Sequence, residues 1–390
     1  MEKTSVSEPK ELIITRYNPP DWFTDRQRLS HWASLNDKVT LPLFLRWKST
    51  LPASVRSSIT GGHGHIYAGS DDNKLYALSP HDGSVLWTFN TGGRVSSAAT
   101  AIDEKTFKGL FITSENGKLY SLEPSNGREI WHVGGGVGPF ISSTNYASGL
   151  VFYVFMSSVV ASTARAVDST TGAIKWQGPT FNVSSATPMH AFGSLFVGVG
   201  QVGQNFFSLN DITGNEAWHA SDSGADAGCY TSGVANMDVG SGSQATVIIS
   251  TKGGVVKALS MSGSQVWVTT LQGKDPITGF ALTQNRRRNI LVVSRESDLY
   301  ALDAKNGAIL WQYPYRSSSM ANRKSPRPAI WGNYAFHIRE GDKLVAVSLQ
   351  NGLEKWSAEL DGATLSSPTV GGKTVYIGTS SGSVYAFSNK

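Results

Sequence analysis

The sequence predicts an all-β protein: an eight-bladed β-propeller of four-stranded antiparallel blades, closed by an N-terminal strand that completes the last blade. Three observations carry the prediction. One short phrase ending in tryptophan returns seven times along the 390 residues. Its tryptophans recur at intervals of 42 to 49 residues, too long for one hairpin and suited to one four-stranded sheet per repeat. The last repeat stops one strand short, and a spare strand of the right pattern stands near the N-terminus.

The phrase reads LYALSPHDGSVLW at 75–87 and LYALDAKNGAILW at 299–311. Its other copies end at Trp131, Trp176, Trp218, Trp267 and Trp356. In each, a glycine lies four residues before the tryptophan: Gly83, Gly127, Gly172, Gly214, Gly263, Gly307 and Gly352. An alternating strand meets a polar turn whose glycine can take positive φ, and a second strand carries the tryptophan, so the phrase is a hairpin. Two more strands precede it. They are clearest at the C-terminus, where LSSPTV (365–370), TVYIGTS (374–380) and VYAFS (384–388) are separated by GGK and SGS. These are strands A, B and C, and the tryptophan strand is D.

The final repeat has no D strand. LFLRWK (43–48) has no A, B or C before it, and Trp47 precedes Trp87 by 40 residues. Joining the two closes the ring and removes an unpaired sheet edge. The propeller domain is therefore set at 43–390, with 1–42 as an N-terminal extension. Within the extension, DRQRLSHWASLNDK (25–38) places Leu29, Trp32 and Leu35 at helical spacing. It is expected to serve as a clasp on the propeller wall or as a lid over the channel.

Composition narrows the function. Charged residues are 16% and the net charge is +5, with Lys and Arg scattered along the chain. That argues against nucleic-acid binding. No apolar run reaches membrane-spanning length and the N-terminus has no signal-like apolar segment. Cys229 is the one cysteine, so no disulfide forms within the chain. A cytoplasmic monomer is the expectation.

The phrase resembles the PQQ-like, quinoprotein-type propeller repeat, in which "lYALd..tG..lW" ends each blade. It differs from WD40 repeats, because Thr88, His132, Gln177, His219, Val268, Gln312 and Ser357 follow the tryptophans and none is Asp. The resemblance covers residues 43–390 and implies that the tryptophan packs between neighbouring blades. It also implies that activity sits at the channel mouth, where D–A connections and B–C turns meet. Quinoprotein dehydrogenases of this type use PQQ with Ca²⁺, often with a vicinal disulfide or a haem on CxxCH. This chain has neither cysteine motif, so no cofactor and no metal ligand is assigned. The same family contains a ring that scaffolds outer-membrane protein assembly without catalysis.

Two D–A connections are long. HASDSGADAGCYT (219–231) brings His219, Asp226, Cys229 and Tyr230 into one segment, residue types that suit a base, an acid and a nucleophile. QYPYRSSSMANRKSPR (312–327) supplies Tyr313, Tyr315, Arg323 and Arg327, which suit a carboxylate or phosphate. Aligning the ends of the B strands places Ser70, Ser114, Ser294 and Thr379 in one slot, with Arg339 there in blade 7. His337 then falls where other blades carry Ala68, Ile112, Val292 and Ile377, and a polar residue in an apolar slot wants a partner. Arg56 and Arg94, at the starts of A strands, would make the mouth electropositive.

Two functions follow. The first is a non-catalytic scaffold that binds a protein or a small-molecule ligand at the channel mouth. The alternative is a cofactor-independent cyclase, isomerase or lyase acting on an anionic or polycyclic small molecule. Asp226, His219, Tyr230 and His337 would be its acid–base groups, with Arg56, Arg94, Tyr313, Tyr315, Arg323, Arg327, Arg339 and Cys229 as ligand contacts. A PQQ-dependent dehydrogenase ranks third.

Overall fold

A computed structural model describes residues 34–35, 38–103, 107–134, 142–158, 161–182, 187–199, 203–222, 234–236, 245–251, 253–272, 277–283, 289–295, 298–314, 326–364 and 366–389. The chain forms eight antiparallel blades in sequence. In blade 1 the strands are Thr60–Gly62 (A), His65–Gly69 (B), Lys74–Leu78 (C) and Val85–Asn90 (D). Blades 2 to 6 occupy 100–133, 145–182, 189–222, 234–270 and 277–314. Blade 7 comprises Ala329–Trp331, Tyr334–Arg339, Lys343–Ser348 and Glu354–Glu359. Blade 8 has Thr369–Gly371, Thr374–Gly378 and Ser383–Ser388 as A, B and C. Among the described residues there is no helix, and none therefore long and apolar enough to cross a membrane.

The ring closes as the repeat demands. Strand Phe44–Thr50 pairs antiparallel with Ser383–Ser388, Trp47 opposite Ala386, and becomes the D strand of blade 8. Lys48 then forms an ion pair of 2.7 Å with Asp361, on the connection from blade 7 to blade 8. Asp361 also accepts hydrogen bonds from Ser383 Oγ at 2.6 Å and Thr379 Oγ1 at 3.0 Å. One carboxylate thus ties the N-terminal strand to the C-terminal repeat.

The recurring Gly and Trp meet across blades. Trp47 Nε1 donates to Pro80 O at 3.0 Å, Trp87 to Pro124 O at 3.1 Å, and Trp131 to Ser169 O at 3.2 Å. Trp176, Trp218, Trp267 and Trp311 do the same to Asp211, Met261, Ala304 and Leu349. Each indole also lies flat on the glycine of the next C–D turn. A Cβ on Gly127 would stand 2.4 Å from Trp87, and one on Gly83 2.5 Å from Trp47. Both glycines have φ above +70°, so conformation and space each exclude a side chain. Each copy but the last thus carries both halves of the blade-to-blade contact, a glycine that receives the indole of the blade before and, four residues on, a tryptophan that covers the glycine of the blade after.

The extension departs from expectation at Ser34–Leu35. These residues are a two-residue strand rather than part of a helix, and they pair parallel with Ile330 and Trp331 of the blade 7 A strand. Of the rest of the segment 25–38, residues 25–33 and 36–37 lie outside the described residues.

Candidate functional site

On one face of the ring, D–A connections and B–C turns are knitted together. The connection from blade 1 to blade 2 bonds back to its own B–C turn, with Val95 N–H donating to Ser70 O at 3.2 Å. It also bonds forward, Arg94 O accepting from Glu115 N–H at 2.9 Å. The same pair of links recurs at blades 8 and 1, where Val55 N–H reaches Thr379 O and Asp71 N–H reaches Ser54 O, each at 2.9 Å. The repeated serines of the A-strand starts serve this knitting. Ser143 Oγ accepts from Ala98 N–H of the preceding blade, and Ser367 Oγ from Arg327 N–H, both at 3.0 Å.

The arginines expected at the mouth are paired. Arg56 Nε lies 2.6 Å from Asp71 Oδ2, and Arg94 Nε 3.1 Å from Glu115 Oε2. Ser96 Oγ holds the other oxygen of Glu115 at 3.0 Å. Arg339 binds Glu354 Oε2 at 2.5 Å and donates to Tyr313 Oη at 3.2 Å. Tyr313 donates in turn to Glu354. Burial and that carboxylate push the Tyr313 phenol up to about 12, so it stays protonated as a donor. Tyr313, chosen from the loop after blade 6, and Arg339, chosen from the B strand of blade 7, thus meet each other, with Glu354 as a third member from the next D strand. The alkyl stem of Arg327 packs on Gly279, where a Cβ would stand 2.1 Å from its Cγ.

His337 is fully buried, and burial pushes its imidazole down to about 3. It shares the blade 7 B strand with Arg339, two residues away and so on the same face. His219 is different. It is exposed on the outer strand of blade 4, with Nδ1 2.6 Å from Glu216 Oε1 and its ring 5.9 Å from Phe207. His132 of blade 2 repeats the arrangement, 2.7 Å from Glu129 and 5.7 Å from Tyr120. Asp226, Cys229, Tyr230, Tyr315 and Arg323 lie outside the described residues.

Strand register corrects one alignment and adds a residue. Ser294 pairs with Leu299 as Gly69 pairs with Leu75 and Ile338 with Leu344. The slot of Ser70 and Arg339 is thus Arg295 in blade 6, and Val293, not Val292, matches His337. The B–C link of blade 6 is one residue shorter than that of blade 1, which shifts any count made back from the C strand. Arg295 is fully buried and donates from Nη1 to Gln272 O. Adjacent blades 6 and 7 therefore both replace a small hydroxyl by arginine.

A family profile described as "Outer membrane protein assembly factor BamB" matches residues 44–136, 108–228, 137–279 and 208–390. No curated protein matches the chain. Among solved structures, BamB from Moraxella catarrhalis is 19% identical, with 89% of this chain and 100% of that chain covered at a TM-score of 0.70. Quinohemoprotein alcohol dehydrogenase ADHIIG from Pseudomonas putida HK5 is 12% identical, covering 97% and 82% at 0.77. A computationally designed protein, Ika8, is also 12% identical, covering 88% and 99% at 0.70. At such identities the structural likeness speaks for the fold, which enzymes, an assembly factor and a design all share. The profile covers the whole propeller, and the chain belongs to the PQQ-like, BamB-type family of β-propellers.

Proposed function

We propose that this chain is a non-catalytic scaffold that binds a protein partner through the face where D–A connections and B–C turns meet. The observation that carries the reading is charge pairing. Arg56, Arg94 and Arg339 each hold a carboxylate from their own or an adjoining element. An anionic substrate would have to displace those carboxylates. A protein surface meets such paired charges as a polar rim and leaves them in place. The family's description as an assembly factor supports the same reading.

The enzymatic alternative needs its acid–base groups to converge. Of the two that are described, His219 stands on the outer strand of blade 4 and His337 inside blade 7. A PQQ-dependent dehydrogenase ranks below both readings, because no PQQ or Ca²⁺ ligand is placed by motif and a single cysteine cannot form a vicinal disulfide.

The test is photo-crosslinking in the protein's own host. A photoreactive residue replaces Ser380, exposed on the B–C turn of blade 8, or Ile212, 75% exposed on a C–D turn at the opposite face. A discrete protein adduct from position 380 and none from 212 is the expected result. No protein adduct at either position, together with turnover of a small molecule by the purified chain, overturns the reading.

A further inference from the structure

The inner edge of blade 7 is the one place among the described residues where a blade carries a fifth strand. Successive A strands approach one another around the axis, so the edge of an A strand that its B strand does not use faces the channel. Ser34–Leu35 takes that edge in blade 7 and also lies close to the A strand of blade 8.

From Lys38 onward the chain leads to the perimeter. Val39, Leu41 and Leu43 turn inward, alternating with exposed Lys38, Thr40 and Pro42, the period of an extended strand. They pack on the core shared by blades 7 and 8, which includes Trp331, Phe336 and Phe387. This junction differs from the other seven. Blade 8 is split between the two ends of the chain, so no C–D turn receives Trp356. Its ring packs edge-on against Phe387 at 5.5 Å instead. Residues 38–43 lie across that core as a strap leading outward to Phe44–Thr50. Trp331 is 1% exposed, and its Nε1 has no acceptor among the described residues.

Two residues of pairing are weak on their own. The strap makes them sufficient, because a tethered strand meets its edge at an effective concentration in the millimolar range, about 1 mM or more. An untethered strand would need a longer pairing or better side-chain contacts to displace it. An A-strand edge offers free N–H and C=O groups to any extended chain of the right direction.

We propose that the inner edge of the blade 7 A strand, Ala329–Trp331, is a docking site for an extended peptide running parallel to it. Ser34–Leu35 is its resident occupant, and a segment of a partner protein takes its place by strand exchange. The inference deepens the scaffold reading and rests on it only in taking the second occupant from a protein.

The test uses the full chain and a fluorescein-labelled synthetic peptide of residues 30–38. In the double variant Ser34→Pro, Leu35→Pro the tethered strand loses its N–H donors while the strap and all eight blades keep their contacts. The peptide should bind the variant about tenfold more tightly, or better, than the wild type. Hydrogen exchange at Ala329–Trp331 should quicken in the variant and slow again with peptide. A scrambled peptide of the same composition should do neither. Equal peptide affinity for both proteins, or exchange at 329–331 unchanged by the prolines, overturns the inference. Neither readout depends on the natural partner, so its failure leaves the crosslinking result standing.

Discussion

Blades 1 and 2 and blades 6 and 7 use one frame in two ways. At the end of the B strand, blades 1 and 2 place Ser70 and Ser114. Ser114 Oγ lies 2.8 Å from Thr91 Oγ1 and helps tie the connection between them. Blades 6 and 7 place Arg295 and Arg339 in the same slot. Arg339 reaches across the blade boundary to Tyr313 and also holds Glu354. Two residues before Arg339, the apolar Ala68 of blade 1 becomes the buried His337. Where the repeat is kept, position alone dictates a contact. Where it is broken, a long polar side chain makes contacts that no neighbouring copy forecasts.

The sharpest way to break the comparison is at the ring closure. Trp47→Ala removes a buried indole that covers Gly83 and bonds Pro80, and should cost about 3–5 kcal/mol. Denaturant unfolding measures it. Trp356→Ala should cost clearly less, because that indole is only partly buried.

The next effect belongs to the irregular sector. His337 binds a proton near 6.5 when unfolded and near 3 when folded. As pH falls below 6.5 the unfolded chain takes the proton first, and stability is lost progressively down to about pH 3. His337→Val restores the repeat's apolar residue. It should change stability little at pH 7 and raise it by about 3 kcal/mol relative to wild type at pH 4. A wild-type and variant difference that does not vary with pH would remove His337 from the account.

Smaller effects test the regular sector. Gly127→Ala forces a Cβ against Trp87 at positive φ and should cost about 1–2 kcal/mol. Gly92→Ala also has positive φ but nothing within 4 Å, so the difference between the two variants isolates the indole contact. Least of all is Asp361→Asn, below about 1 kcal/mol for a partly exposed pair. Burial raises the Asp361 carboxyl, but Lys48, Ser383 and Thr379 outweigh it and hold the group below its ordinary value. Its contribution is therefore present near neutrality and is lost as pH falls through the carboxylate range. Added salt should shrink the difference between Asp361→Asn and wild type.

The fold was legible because each blade repeats one physical contact. Each glycine at positive φ receives the indole of the preceding blade, and its turn leads straight into the D strand whose own tryptophan, save in blade 7, covers the next blade's glycine, so the spacing from Gly83 to Trp87 survives in every copy. Closure was legible for the same reason, from Trp47 standing one interval ahead of Trp87. The strand at Ser34–Leu35 was not. Its pairing partners lie almost three hundred residues away, and Trp32 and Leu35 fit a helical period equally well. The polar sector was half legible. Arg339 and His337 stood out against the other blades, and Tyr313 was picked for its aromatic hydroxyl. Glu354 was missed because in sequence it is an ordinary D-strand charge. Arg295 was missed because a link one residue shorter displaced the alignment. It is found only by matching strand register, residue against residue. The pairing of His219 with Glu216 could have been read from the sequence, for His132 with Glu129 writes the same spacing in blade 2.

The central claim is that this propeller binds protein and does not turn over a small anion. Native mass spectrometry of the full chain, purified gently from its own host, tests it most directly. The account predicts the bare mass of the propeller within a stoichiometric protein complex, with no adduct of metabolite size. A retained small molecule that the purified chain converts, with no protein bound, would contradict it.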